Sequence, residues 1–265
     1  MVQQYGKPAL YDKIQFSLVF ITSTDSKDIE VTMIYGIIGA MPEEIEALKK
    51  NIQNIVTHKI GSKEYYTGQI NGKEVVLTCS GIGKVSASLA TSLMIAKFNA
   101  DVVINTGVAG GLKPETKVLD VVIGTAACQH DFDLRIFNYK LGQVPGFEPV
   151  ITLNPEYVEK TREAALKSAE SYNFHVHTGL VISGDQFIAG KEHNEALISN
   201  FPDAYATEME AAAIVQAAAI LEKPAIVIRT ISDNANEKAD MTFDEMLPLA
   251  TRNSQDITLK LLEII

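Results

Sequence analysis

The chain has 265 residues, 46% hydrophobic and 21% charged, a globular composition with ample length for a sizeable core and unlike a disordered chain. Its 23 Lys and Arg against 33 Asp and Glu give a net charge of −10 with no basic cluster, which argues against coating nucleic acid or an anionic membrane. No apolar run reaches the roughly 18–20 residues of a membrane helix, and Cys79 and Cys128, both in apolar surroundings, exclude a disulfide framework or a CxxC metal or redox pair.

Residues 1–32 differ from the rest of the chain. Their apolar run, Phe16 to Ile21, comes after Lys7 and Lys13, but Asp12 lies among the lysines and Thr22–Asp28 lacks a small-x-small cleavage pattern. The segment reads as a poorly packed extension, and Met33 stands just before the first strong strand pattern. Ile34–Gly39 predicts a buried strand. Pro42 then opens a helix with Ile45 and Leu48 on one face. Glu64 to Cys79 reads as a hairpin about Asn71-Gly72. Ser86–Phe98 predicts a helix, Asp101–Asn105 and Val118–Thr125 strands, and Pro155–Tyr172 a helix. Leu180–Ile182 predicts a strand, Ala211–Leu221 an alanine-rich helix and Ala225–Ile231 the last strand. A capping-box pattern at Thr242-Phe243-Asp244-Glu245 starts the last helix, whose early turns Pro248 should kink or break. This alternation predicts one α/β domain over 33–265, a central mixed, mostly parallel sheet flanked by helices. Ligands in such folds sit at the carboxyl ends of strands.

The residues just after the strands are therefore informative. Glu43 and Glu44 fall in the first turn of a helix, where acidic charge is comfortable, and Glu44 has the alternative of facing the crevice. Ser80-Gly81-Ile82-Gly83-Lys84 fits neither Walker A, with Thr78 and Val85 at the key positions, nor the dinucleotide fingerprint, with Ser86. It implies close backbone approach, to a ligand or a neighbouring element. Asn105–Gly111 offers a bare glycine wall or a tight turn. Phe187, after Ser183-Gly184-Asp185-Gln186, is either a core residue or a platform for a planar ring. Glu208 and Glu210 alternate, so an extended segment points both to one face. Arg229, Ser232 and Asp233 end a buried strand, as a structural Arg229–Asp233 ion pair or as a functional group. The five histidines show no metal spacing, and no GxSxG motif occurs.

Seven segments in order carry a resemblance: Gly39–Glu44, Ser80–Lys84, Asn105–Gly111, Gly142–Gly146, Ser183–Ile188, Glu208–Ala211 and Arg229–Asp233. Together they resemble the 5′-methylthioadenosine/S-adenosylhomocysteine nucleosidases of the nucleoside phosphorylase superfamily, over about 33–265. The resemblance implies a nucleoside phosphorylase-like fold and hydrolysis of the bond between adenine and a 5′-thio-substituted ribose, with 5′-deoxyadenosine a further expected substrate. It implies no metal or organic cofactor, a homodimer without nucleic-acid or membrane partners, a cytoplasmic location and a place in methionine salvage. Asp233 is then the acid that protonates adenine at N7, steered by Ser232. Aspartic acid is normally ionised at neutral pH, so the site must hold that proton in place. Glu44 takes the attacking water, Glu210 the ribose hydroxyls, and Arg229 orders the water and ribose edge. Phe187 stacks on adenine and the Ile188 backbone reads its edge. Met41, Ile82, Met209 and Phe243 line an apolar slot for the 5′-thio group. Phe137 and Pro145 enter the partner subunit's site. Three positions depart from the family pattern: Pro42, which stiffens a helix start, Val108 for a common serine beside the water network, and Asn236 for a usual acid.

The nearest alternative is a phosphate-dependent nucleoside phosphorylase of the same fold. That needs a cationic pocket, yet the chain has four arginines, Arg135, Arg162, Arg229 and Arg252, with only Arg229 in a site motif. A carboxylate at Glu44 would repel phosphate. A non-catalytic nucleoside binder would not need Glu44, Glu210 and Asp233 together. A dinucleotide-dependent redox enzyme lacks its fingerprint.

Overall fold

A computed structural model describes residues 32–188, 191–234 and 243–265. Contacts divide the chain into Met1–Val31 and Thr32–Ile265, and all described residues lie in the second unit. The expectations for the extension up to Val31, for Asn236 and for a cap at Thr242 fall outside the described residues.

The apolar run β1 (Ile34–Gly39) is flanked on both sides by parallel strands, β4 (Lys73–Cys79) and β5 (Val102–Gly111). Beyond β5 come β10 (Ala225–Asn234, parallel), β6 (Val121–Gln129, antiparallel to β10), β8 (Val176–Ser183, parallel to β6) and β9 (Ala204–Glu208, parallel to β8). β9 then pairs back onto β5 through Gly110–Thr207 and Gly111–Ala206, so these five strands close on one another. On the other side, β3 (Lys63–Ile70) and β2 (Gln53–Ile60) extend the sheet past β4. A short β7 (Ile151–Thr152) joins β6. The sheet is mixed: five of the ten described pairings are parallel.

Helices cover both faces, and each face has its own core. On one, α1 (Pro42–Asn51), α3 (Pro155–Tyr172) and α6 (Phe243–Ile264) pack together through Ile45, Leu48, Ala164, Ala165, Ile257 and Leu261. On the other, α2 (Lys84–Phe98) meets α5 (Ala211–Ile220), whose buried alanines let helix and sheet approach closely. A third cluster includes Leu197 and Phe201, at and just beyond α4 (Lys191–Asn200).

Several elements differ from the sequence reading. The stretch 106–111, read as a wall or turn beyond a strand, continues β5, because sheet neighbours on both sides take up its backbone groups. β6 begins later than predicted because Leu119 adopts a left-handed backbone, φ 73°, just before it. The sequence pattern does not predict β2, α4 or β9; β2 is almost wholly exposed, which removes the burial period that reveals a strand. α6 runs on through Pro248 instead of breaking there. A proline near a helix start forfeits one ladder bond, and the buried Met246, Ala250, Ile257, Leu261 and Leu262 outweigh that loss.

Candidate active site

A cavity of about 220 Å³ opens where β1, β5, β8, β9 and β10 end. The structure brings Met41, Glu44, Ile82, Val108, Phe187, Ile188, Met209, Glu210, Ser232 and Asp233 to its wall. Arg229 lies behind that wall, 2% exposed. Phe137, in a short 3-10 turn, and Pro145 are exposed and line no part of the cavity. The side chain of Phe243 lies outside the described part of the chain.

Glu44 is in the first turn of α1, which Pro42 begins, and it is only 3% exposed. One carboxylate oxygen accepts from the N–H of Ala40 at 2.6 Å and of Met41 at 3.0 Å; the other accepts from Val108 N at 3.0 Å. Burial nevertheless raises its pKa, against the lowering by Arg229 and these three N–H groups. Gly107 makes the arrangement possible, since a Cβ there would stand 2.4 Å from Glu44 Oε1. Glu43, by contrast, is exposed.

Glu208 and Glu210 divide into two roles. Arg229 Nη2 donates to Glu208 Oε2 at 2.7 Å and to Asn105 Oδ1, and Ser183 Oγ donates to Glu208 Oε1. The N–H groups of Glu210 and Ala211 also point at Glu208, at 3.0 and 2.9 Å. Burial opposes the charge on Glu208, yet Arg229 and these donors hold its pKa below the ordinary value. Arg229 therefore pairs with Glu208, and the expected alternative of an Arg229–Asp233 pair is not formed. The carboxylate of Glu210, just before α5, accepts from Gly83 N at 2.8 Å. Burial, with the neighbouring Glu208 charge, pushes its pKa up to about 8. Gly81 and Gly83 have φ of 77° and 95°, a backbone open to glycine; the Gly83 N–H meets Glu210, and a Cβ there would stand 3.1 Å from Asp185 Oδ1.

Ser232 Oγ donates to Asp233 Oδ1 at 2.7 Å. At the same cavity Phe187 is 70% exposed and Ile82 58%, so Phe187 is not a core residue. Sequence reasoning missed Glu208 as a wall residue and Asn105 and Ser183 as its supports. The alternating Glu208 and Glu210 were the signal for the first; a lone Asn and Ser inside apolar strands carried none. Among the described residues, no group of three or more His, Cys, Asp or Glu is placed to hold a metal ion, and no helix is long and apolar enough to cross a membrane.

The sequence profile of the phosphorylase superfamily matches residues 34–263, and the chain belongs to that superfamily. Among relatives, the 5′-methylthioadenosine/S-adenosylhomocysteine nucleosidase of Staphylococcus carnosus is 42% identical over 228 residues, 86% of this chain and 98% of its own. The nucleosidase of that name from Neisseria meningitidis, in complex with methylthio-immucillin-A, superposes with a TM-score of 0.83 at 41% identity, covering 88% of this chain and 99% of that one. The Colwellia psychrerythraea nucleosidase, in complex with adenine, gives 0.81 at 38% identity over 88% of this chain and 95% of its own. The chain belongs to the 5′-methylthioadenosine/S-adenosylhomocysteine nucleosidase family.

Proposed function

We propose that this protein, through residues 33–265, hydrolyses the N-glycosidic bond of 5′-methylthioadenosine and S-adenosylhomocysteine, and of 5′-deoxyadenosine, releasing adenine. The observation that carries this reading is the make-up of the cavity wall, which offers a phosphate no cation. Among the described residues it presents Glu44, Glu208, Glu210 and Asp233 and no lysine or arginine. Such a wall favours a neutral nucleoside and water over a phosphate nucleophile.

Asp233 gives its proton to adenine N7, so the base departs neutral as the C–N bond breaks. Ser232, hydrogen-bonded to Oδ1, leaves Oδ2 to carry that proton. The ribose is left with cationic character, which nearby carboxylates stabilise. Water attacks C1′, its oxygen forming the new bond while Glu44 accepts its proton. A raised pKa makes Glu44 a better base for this step. Glu210 holds the ribose hydroxyls. Arg229 acts from behind the wall, holding Glu208 and, through its charge, Glu44. Phe187 stacks on adenine, the Ile188 backbone reads its edge, and Met41, Ile82 and Met209 surround the 5′-thio group. Val108 offers its N–H to Glu44, so the missing serine hydroxyl leaves that contact intact.

The reading includes a homodimer in which Phe137 and Pro145 reach the partner's site. Support comes from the exposure of Phe137 (67%) and from Val85 (79%) and Ile220 (62%) flanking one cleft between α2 and α5. A cytoplasmic location and a place in methionine salvage belong to the same reading. The test is adenine release from 5′-methylthioadenosine with and without phosphate. Free 5-methylthioribose at a phosphate-independent rate is expected; a phosphate requirement with a ribose 1-phosphate product would overturn the proposal.

A further inference from the structure

Ser232 and Asp233 are consecutive in a strand, yet both line the cavity. A regular strand points successive side chains to opposite faces. The exception comes from an irregularity in β10: its register on β5 shifts between Ile231 and Asp233. What holds that irregularity lies outside the cavity. Leu119 N donates to Ile231 O at 2.8 Å, and Ile231 N donates to Asp120 O at 2.8 Å, so residues 119 and 120 grip the backbone immediately before Ser232.

This grip depends on an unfavourable backbone. Leu119 is held at φ 73°, a region that a branched side chain rarely adopts. The Asp120 carboxylate, 3% exposed, maintains it by accepting four hydrogen bonds. They come from Lys117 N at 3.0 Å, His175 N at 2.8 Å, His175 Nδ1 at 3.1 Å and His177 Nε2 at 3.1 Å. Asn253 Nδ2 on α6 adds a bond to Leu119 O at 3.2 Å. We infer that Asp120 is a positioning residue for the acid Asp233, acting through the Leu119–Asp120 grip on Ile231 and aiming Ser232 and Asp233 together into the cavity. Burial opposes the Asp120 charge, but its donors hold the pKa below the ordinary value, so the carboxylate is available as an acceptor at neutral pH.

The inference rests on the proposed nucleosidase chemistry, and two readouts separate them. Asp120→Asn is expected to lower kcat for adenine release about tenfold or more, with KM within about twofold, and to move the acid limb of the kcat–pH profile. Asn253→Ala, which frees the Leu119 carbonyl and also removes the acceptor of Arg252 Nη2, is expected to change kcat in the same direction by less, and it decides the matter if Asp120→Asn does not fold. Independently of turnover, the carbon-13 carboxyl signal of Asp233, assigned with Asp233→Asn, should titrate differently in the two variants. An unchanged Asp233 titration and unchanged kcat in folded variants, with only a lower Tm, would reduce Asp120 to a structural tie and overturn the inference. If wild-type protein releases no adenine, the functional reading fails, and the Asp233 titration alone decides the role of Asp120.

Discussion

At the residue scale, the cavity contains carboxyl groups with opposite tendencies. Glu208 is kept charged by Arg229, while Glu210 beside it is pushed towards the protonated form. Across the interval between its ordinary value of 4.5 and about 8, folded protein keeps a Glu210 proton that the unfolded chain has released. Stability contributed by this group is therefore present at low pH and is lost as pH rises through that interval. Glu210→Gln removes the titration, so its Tm should gain on wild type from about pH 5 to about pH 8.5. Parallel Tm curves would disprove the raised pKa. Asp233→Asn should cut turnover about 100-fold or more while leaving thermal unfolding nearly unchanged. Glu44→Gln should cut turnover by a similar factor yet still bind a substrate analogue by calorimetry; loss of that binding would give Glu44 a structural role instead. Gly107→Ala tests the geometry without replacing a charged residue. Its Cβ would stand 2.4 Å from Glu44 Oε1, and displacing that carboxylate should slow adenine release about 100-fold.

At the element scale, small residues set how closely strands and helices approach. In β1, a Cβ on Gly36 would lie 2.2 Å from the buried Met94 sulfur of α2 and 3.2 Å from Ala100 Cβ. Gly36→Ala should therefore cost about 1–3 kcal/mol, seen as a lower urea midpoint, with KM unchanged because the clash is in the core. The apolar runs of β1 and β10 and the faces of α1 and α3 were legible because burial leaves a period in the sequence. β2 left none, being exposed along most of its length. The glycines of β5 were legible as a wall but not as strand, since glycine has no intrinsic preference for one.

At the scale of the whole molecule, closure of β5, β10, β6, β8 and β9 sets the ends of distant strands around one cavity. The exposed Phe137 and Pro145 belong, in the proposed dimer, to the partner's cavity. Sedimentation should show a dimer, and Phe137→Ala should raise KM for 5′-methylthioadenosine severalfold without lowering Tm. A monomer of full activity would remove Phe137 and Pro145 from the site.

The sequence by itself determined the α/β class, the order of most elements and the chemical types clustered after the strands. Local propensity and short motifs carry that information, because each depends on neighbours within a few residues. It also singled out Glu44, Glu210 and Asp233 as candidates, through motifs in a fixed order, and all three line the cavity. Only the tertiary structure decided that Arg229 pairs with Glu208, that Glu210 meets Gly83, and that a turn at Leu119 holds the strand before Asp233. These contacts join residues 20 to more than 100 positions apart, and the charge each carboxyl group carries depends on burial and partners that no local pattern encodes.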